Sequence, residues 1–112
     1  MKVSITAQDD ISIIEVSGDI DSKTAPEFEK SAKEAAAQST KIAIDLTAVE
    51  YMSSAGLRVL LMVYRNIKSQ NGKVVLVGVS EDIQDVMSTT GFINFFSIVP
   101  TLDEGVAILK QG

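Results

Sequence analysis

Short runs of branched apolar residues alternate with segments of helical periodicity, and this alternation restricts the fold of the chain more than any other feature. The first two runs, residues 3–7 and 11–17, are separated by three polar residues, which predicts an antiparallel hairpin. The next two, residues 41–46 and 73–79, are flanked by helical segments, as parallel strands joined by right-handed crossovers are. We therefore expect an α/β fold with a mixed sheet.

The first two helices are marked by start and stop residues. Thr24 and Glu27 have the spacing of a capping box, which predicts that the first helix begins there. The second helix is predicted over residues 54–69, because apolar residues mark one face and Asn71-Gly72 tolerates a left-handed stop.

The last third of the chain predicts two more helices and one strand. Ser80 is expected to cap the third helix and Gly91 to end it. Its inward residues are predicted to be Ile83, Val86 and Met87. A strand is predicted over residues 95–99, followed by a capping box at Thr101. The predicted order is β-β-α-β-α-β-α-β-α, with an N-terminal antiparallel hairpin and parallel strands joined by helices, in a single domain over residues 1–112.

Composition excludes several kinds of chemistry. The chain has no His, Cys or Trp, which removes Ser-His-Asp triads, thiol nucleophiles and imidazole-based zinc sites. Ten Lys and Arg against fifteen Asp and Glu give a net charge of −5 without a basic cluster, so nucleic acid is not an expected partner. The longest apolar run, residues 59–64, is far below the ~18 residues of a membrane span, and the amino end turns polar too soon for a secretory signal. We expect a cytoplasmic protein without membrane insertion, metal or cofactor.

Two loops are candidate sites, because ligands and partners tend to meet such sheets at the carboxyl ends of the parallel strands. These are residues 18–23 and 47–54. The second ends with Ser53 and Ser54 at a helix start, where a serine hydroxyl commonly satisfies a free backbone N–H. Alternatively, one hydroxyl accepts a phosphoryl group, since the N–H groups and dipole of a helix start stabilise a dianion. Gly56 would then remove a side chain beside that hydroxyl.

Residues 45–57 read Asp-Leu-x-x-Val-x-Tyr-Met-Ser-Ser-Ala-Gly-Leu, which resembles the signature of the STAS domain as found in bacterial anti-sigma factor antagonists. Gly18-Asp19-Ile20-Asp21 resembles that family's Gly-Glu-Leu-Asp turn after an early strand. The resemblance covers essentially the whole chain, including its length and the predicted element order.

The resemblance implies a partner switch. In this family the unmodified antagonist binds an anti-sigma factor that is also a serine kinase, phosphorylation ends the complex, and a metal-dependent serine phosphatase resets the cycle. The family's phosphoserine lies two residues before the motif glycine, which places it on Ser54, with Ser53 as second choice. Ser53 occupies a position where the family often has aspartate, and Ala55 one where it often has serine or threonine.

Further residues are candidates for partner binding, each with a plainer interpretation. Asp21, and less strongly Asp19, either contact the kinase beside Ser54 or bind the backbone of their own turn. Arg58 and Met62, with Arg65, are expected on the outward stripe of the second helix, as a contact patch or an ordinary solvated face.

Two other functions are alternatives to the switch. Asp19, Asp21 and Asp45 would have to converge to bind magnesium, but phosphate-cradling glycine loops and a Ser-x-x-Lys dyad are missing from the sequence. We therefore predict that the protein is not an enzyme, and that Asp45 braces its own loop. The stronger alternative is a STAS-like interaction module of a transport or other regulatory complex that is not phosphorylated.

Overall fold

A computed structural model describes residues 1–111, which form a five-stranded sheet carrying four α-helices. The strands are β1 (Lys2–Gln8), β2 (Ile11–Ser17), β3 (Lys41–Ala48), β4 (Lys73–Val77) and β5 (Ser97–Val99). The helices are α1 (Ala25–Gln38), α2 (Ser54–Ser69), α3 (Glu81–Thr90) and α4 (Leu102–Gln111). None of these helices is long and apolar enough to cross a membrane.

The sheet order is β1-β2-β3-β4-β5, with β1 and β2 antiparallel and every later pair parallel. This confirms the predicted mixed sheet with its N-terminal hairpin. The hairpin turn uses Asp9 with a positive φ of 56°, a conformation that aspartate tolerates better than most residues do. Because β2, β3 and β4 run in parallel, the loops that leave them lie at one edge of the sheet.

Alternate residues of each strand face opposite sides of the sheet, and the two sides are covered unequally. Ile14 and Ile44 belong to the larger apolar cluster, which packs against α1, α2 and α3. Ile13 and Ala43 belong to a smaller cluster on the other side, which is covered by α4. The buried face of α1 is built mainly from alanines, as predicted, and this allows the helix to approach the sheet closely.

The helix ends agree with the predicted signals at three places. Helix α2 spans the predicted range, and Asn71 follows it with a φ of 59°. The Ser80 hydroxyl accepts a hydrogen bond from Ile83 N at 3.2 Å, and Gly91 ends α3 in the left-handed conformation. The Thr101 hydroxyl accepts a hydrogen bond from Glu104 N at 3.2 Å at the start of α4.

The predicted strand over residues 95–99 was wrong in its first half. Phe92–Phe95 form a turn of 3₁₀ helix, and β5 begins at Ser97. The ring of Tyr64 on α2 lies 5.3 Å from that of Phe95 and 5.5 Å from that of Phe96, between centroids. These aromatic contacts with α2 override the strand propensity of the two phenylalanines.

The predicted inward position of Val86 was also wrong. Ile83 and Met87 of α3 are buried, whereas Val86 is 44% exposed. Helix α3 buries a narrow stripe with one residue per turn, and Val86 falls beside that stripe.

Candidate functional site

A short bridge joins the two loops that the sequence singles out. Ile20 and Met52 form an isolated parallel β-bridge. Ile20 N donates to the Tyr51 carbonyl at 3.0 Å, and Ser53 N donates to the Ile20 carbonyl at 2.8 Å. The loop before α1 is thereby fixed to the loop before α2, next to the start of α2.

The motif glycine allows this bridge to pack on α2. A Cβ added to Gly56 would lie 2.6 Å from Met52 Cγ and 2.8 Å from Ile20 Cγ2, closer than real Cβ contacts. Ile20 is fully buried and Met52 nearly so. The place that a Cβ of residue 56 would occupy therefore faces the Ile20–Met52 bridge and the core. The structural role that these distances show for Gly56 is close packing, and the expectation that it also makes room beside a serine hydroxyl stays a prediction.

Ser53 and Ser54 differ sharply in accessibility. Ser54 is the first residue of α2 and is exposed. Ser53 precedes the helix, and its hydroxyl oxygen is buried without a hydrogen-bond partner among residues 1–111. The Ser53 side chain makes no capping hydrogen bond, and its carbonyl accepts from Leu57 N at 3.1 Å. Of these two hydroxyls, an incoming enzyme can therefore approach that of Ser54.

The start of α2 favours negative charge. The first backbone N–H groups of a helix have no partner within it, and the helix dipole adds a partial positive charge there. The first turn of α2 contains no acidic residue. An anionic group attached to Ser54 would therefore be stabilised by these N–H groups without competition from a carboxylate of the same turn.

Asp21 stabilises the loop that precedes α1. Its Oδ1 accepts hydrogen bonds from Lys23 N at 2.9 Å and Thr24 N at 3.0 Å. These backbone bonds, first that from Thr24, hold the pKa of Asp21 below its ordinary value. The structure thus shows the turn-binding role of Asp21, and a contact with a partner stays a prediction.

The predicted capping box at the start of α1 does not form as expected. Thr24 precedes the helix with helical backbone angles, φ −95° and ψ −19°, and its side chain makes no capping bond. Its hydroxyl instead accepts from Asp21 N at 2.9 Å and donates to the Asp19 carbonyl at 3.1 Å. The hydroxyl is directed back into the loop, so Thr24 and Asp21 organise the turn together.

The three carboxylates considered as an alternative magnesium site are bound or exposed separately in the structure. Asp45 Oδ1 accepts from Thr47 N at 3.0 Å and from Thr47 Oγ1 at 2.6 Å, as expected for a residue that braces its own loop. Asp21 is bound within its own turn, and Asp19 is exposed on the same loop. In the part of the chain that the structure describes, no three His, Cys, Asp or Glu side chains are grouped so as to hold a metal ion.

The outer face of α2 is basic. Arg58 and Arg65 are exposed, but Met62 is half-buried and packs against the larger core cluster. The expectation that Met62 belongs to the outward stripe was therefore wrong in part, because Met62 lies to one side of the line through the two arginines and contacts the core from there. Tyr51, which is 54% exposed next to the bridge, was not among the residues predicted for the site. The sequence signal for it is its place in the signature of residues 45–57.

The fold and the signature loop define a domain of the STAS class, and a family model for the STAS domain matches residues 2–105. BtrV of Bordetella bronchiseptica, named as a candidate anti-sigma factor antagonist, is 30% identical over 114 residues, covering 98% of this chain and 96% of BtrV. The anti-sigma-B factor antagonist of Bacillus subtilis is 29% identical over 93 residues, covering 83% of this chain and 85% of that protein.

A solved structure agrees with these relatives. The crystal structure of an anti-sigma factor antagonist from Mycobacterium paratuberculosis superimposes with a TM-score of 0.88 at 29% identity, covering 97% of this chain and 93% of that one. The chain belongs to the STAS-domain anti-sigma factor antagonist family.

Proposed function

We propose that this protein is an anti-sigma factor antagonist that works by partner switching. In its unmodified form it binds an anti-sigma factor that is also a serine kinase. Phosphorylation of Ser54 by that kinase releases it, and a metal-dependent serine phosphatase restores the binding form. The protein binds and is modified, performs no chemistry itself, and acts in the cytoplasm, where ATP is available to the kinase.

The accessible Ser54 hydroxyl at the start of α2 is the observation that carries this proposal. The Ile20–Met52 bridge holds the loops around it in place, so the acceptor is presented on a fixed surface. The family relatives support the antagonist role, and the buried Ser53 hydroxyl supports Ser54 as the acceptor over Ser53.

The partner surface that we propose surrounds Ser54. Asp19 and Asp21 contribute from the loop before α1, Ser53 through its backbone, and Arg58 and Met62 from α2. Gly56 contributes by allowing the bridge to pack beneath this surface. The exposed Tyr51 side chain adds apolar area beside the Ile20–Met52 bridge, which suits a protein partner.

Phosphorylation supplies enough free energy for a switch. The phosphoryl group adds about −1.5 to −2 charges at pH 7. It does so after two joined loops that carry the exposed Asp19 and Glu50, in a chain whose net charge is already −5. Burying this charge against a surface shaped for a neutral hydroxyl is costly. A loss of ~2.8 kcal/mol weakens binding about a hundredfold.

The test is phosphorylation followed by binding. Incubation with the partner kinase and ATP is expected to add one phosphate, which peptide mass spectrometry places on Ser54. Ser54→Ala should bind the kinase without becoming phosphorylated, and Ser54→Asp should bind more weakly. Ser69→Ala, at the far end of the same helix, is the matched control and should behave as the parent.

Two outcomes would overturn the proposal or its site. Phosphate on Ser53 alone would move the assignment to the second choice. Equal kinase affinity for the parent, Ser54→Ala and Ser54→Asp would reject the switch. That result would favour the second candidate, an interaction module of a transport or other regulatory complex that is not phosphorylated.

A further inference from the structure

Arg58 lies one helical turn beyond Ser54 on the same side of α2. Residues four apart in an α-helix are about 40° apart around the axis, and their Cβ atoms are about 5–6 Å apart. Helical side chains also lean toward the helix N-terminus. The Arg58 guanidinium can therefore reach the space beyond the Ser54 hydroxyl.

Arg58 is free to bind an anion in the unmodified protein. The ion pairs among residues 1–111 are Lys33–Glu29, Lys41–Asp10 and Lys110–Asp9, and none includes Arg58. Arg58 and Glu29 both line a shallow groove between α1 and α2, but the Glu29 carboxylate is paired with Lys33 at 3.5 Å. Helix α2 itself contains no Asp or Glu that would compete for the guanidinium.

We propose that Arg58 is the internal binding partner of a phosphoryl group on Ser54. The inference rests on the proposed phosphorylation of Ser54. A guanidinium presents its N–H groups in a planar fork that fits two phosphate oxygens, whereas an ammonium acts as a single point charge. With the anion nearer the helix N-terminus and the cation four residues later, the pair also has the favourable orientation with respect to the helix dipole.

This pairing gives phosphorylation two effects on the outer face of α2. It adds a dianion at the start of the helix. It also pairs the Arg58 guanidinium with that dianion, so that the guanidinium is no longer available to a partner protein. Arg65 is exposed on the same side of α2 but lies seven residues after Arg58. Eleven residues along a helix correspond to about 16 Å, beyond the Debye length of ~8 Å at physiological salt, so Arg65 feels the phosphate weakly.

The test uses protein carrying phosphoserine at position 54, introduced during synthesis by an expanded genetic code, so that no kinase is required. Phosphorus NMR follows the second ionisation of the phosphate against pH. In Arg58→Gln we expect its pKa to rise by about 0.3 unit above that of the parent, because the dianion loses its counter-ion. Arg65→Gln is the matched control and should leave the pKa unchanged, and Arg58→Lys should give an intermediate value.

An equal phosphate pKa in the parent and Arg58→Gln would overturn the inference, as would equal shifts in Arg58→Gln and Arg65→Gln. Circular dichroism of each variant checks that the fold is retained, which substitution at an exposed position should allow. Because the phosphoserine is placed without a kinase, a negative result leaves the proposed switch standing. Conversely, failure of any kinase to modify Ser54 leaves the measured pairing intact.

Discussion

Ile20 Cγ2 lies so close to Gly56 that a Cβ at position 56 would be 2.8 Å from it. This contact joins a residue of the loop before α1 to the first turn of α2, and the Ile20–Met52 bridge completes the connection. The start of α2 can therefore pack this closely on the loop before α1 because residue 56 has no Cβ.

Gly56→Ala should destabilise the fold and displace the bridge. The added methyl group overlaps Met52 Cγ and Ile20 Cγ2, and overpacking of this kind costs about 1–3 kcal/mol. Urea unfolding measures the loss, and amide hydrogen exchange should show weaker protection of Ile20 and Ser53 N–H. In the double variant with Met52→Ala, the total loss should be smaller than the sum of the two single losses, since that truncation removes one of the two overlapping groups. Full parent stability in the single variant would contradict the packing described here.

Asp21→Asn should weaken the loop before α1 in a pH-dependent way. Backbone N–H groups lower the pKa of Asp21 in the folded protein, so the folded state holds the carboxylate charged more strongly than the unfolded state does. Its contribution to stability is therefore complete above the ordinary aspartate pKa and is lost as the pH falls through the lowered value.

The difference in unfolding free energy between the parent and Asp21→Asn should accordingly be largest near neutral pH and should shrink below about pH 4. Asp19→Asn removes an exposed carboxylate from the same loop and is the matched control. A difference that does not change between pH 7 and pH 3 would exclude the hydrogen-bonded carboxylate as its cause.

Ser53→Ala and Ser80→Ala form a pair that separates two serines preceding helices. The Ser80 hydroxyl caps α3, and removing such a cap costs about 1 kcal/mol. The Ser53 hydroxyl is buried and has no hydrogen-bond partner in residues 1–111, so its removal should be neutral or stabilising. Thermal unfolding compares the two variants. A larger loss at Ser53 than at Ser80 would mean that the Ser53 hydroxyl has a partner after all.

Val86→Ala and Met87→Ala test the width of the buried stripe of α3. Met87 is fully buried, and truncating such a side chain costs about 2–5 kcal/mol. Val86 is 44% exposed and lies beside the buried stripe, so its truncation should change the unfolding free energy by about 0.5 kcal/mol or less. Denaturant unfolding measures both. Comparable losses would restore the inward position that the sequence pattern predicts for Val86.

The sequence predicts most of the fold because its local signals agree with one another. In α2, apolar periodicity and the Asn71-Gly72 stop point to the same residues, and the helix bounds match the prediction. At Phe95 the local signal is misleading, because strand propensity cannot register the contact of this residue with Tyr64, 31 positions earlier in the chain. The inward position predicted for Val86 was wrong for a related reason. Helical periodicity places Val86 near the buried stripe of α3 but does not give the width of that stripe.

The two loops that the sequence singles out are joined in the structure, but the arrangement of their side chains could not be predicted from the sequence. Two adjacent serines look alike in a sequence, and whether each hydroxyl is buried or exposed depends on how the Ile20–Met52 bridge approaches α2. The role of Gly56 depends on the same approach, which joins residues more than thirty positions apart. The turn at Asp21 was open to two interpretations, and the hydrogen bonds to Lys23 and Thr24 were needed to show its structural role.

Helix α4 packs on the side of the sheet opposite α2, through Val106 and Leu109. A fluorophore attached to the single cysteine of an Ala107→Cys variant, at an exposed position of α4, is therefore on the opposite side of the sheet from α2. The fluorescence anisotropy of such a label rises when a larger protein binds, because the complex rotates more slowly. The label itself lies away from the proposed partner surface around Ser54. The unequal cover of the two sheet faces thus provides a reporter position for anisotropy measurements.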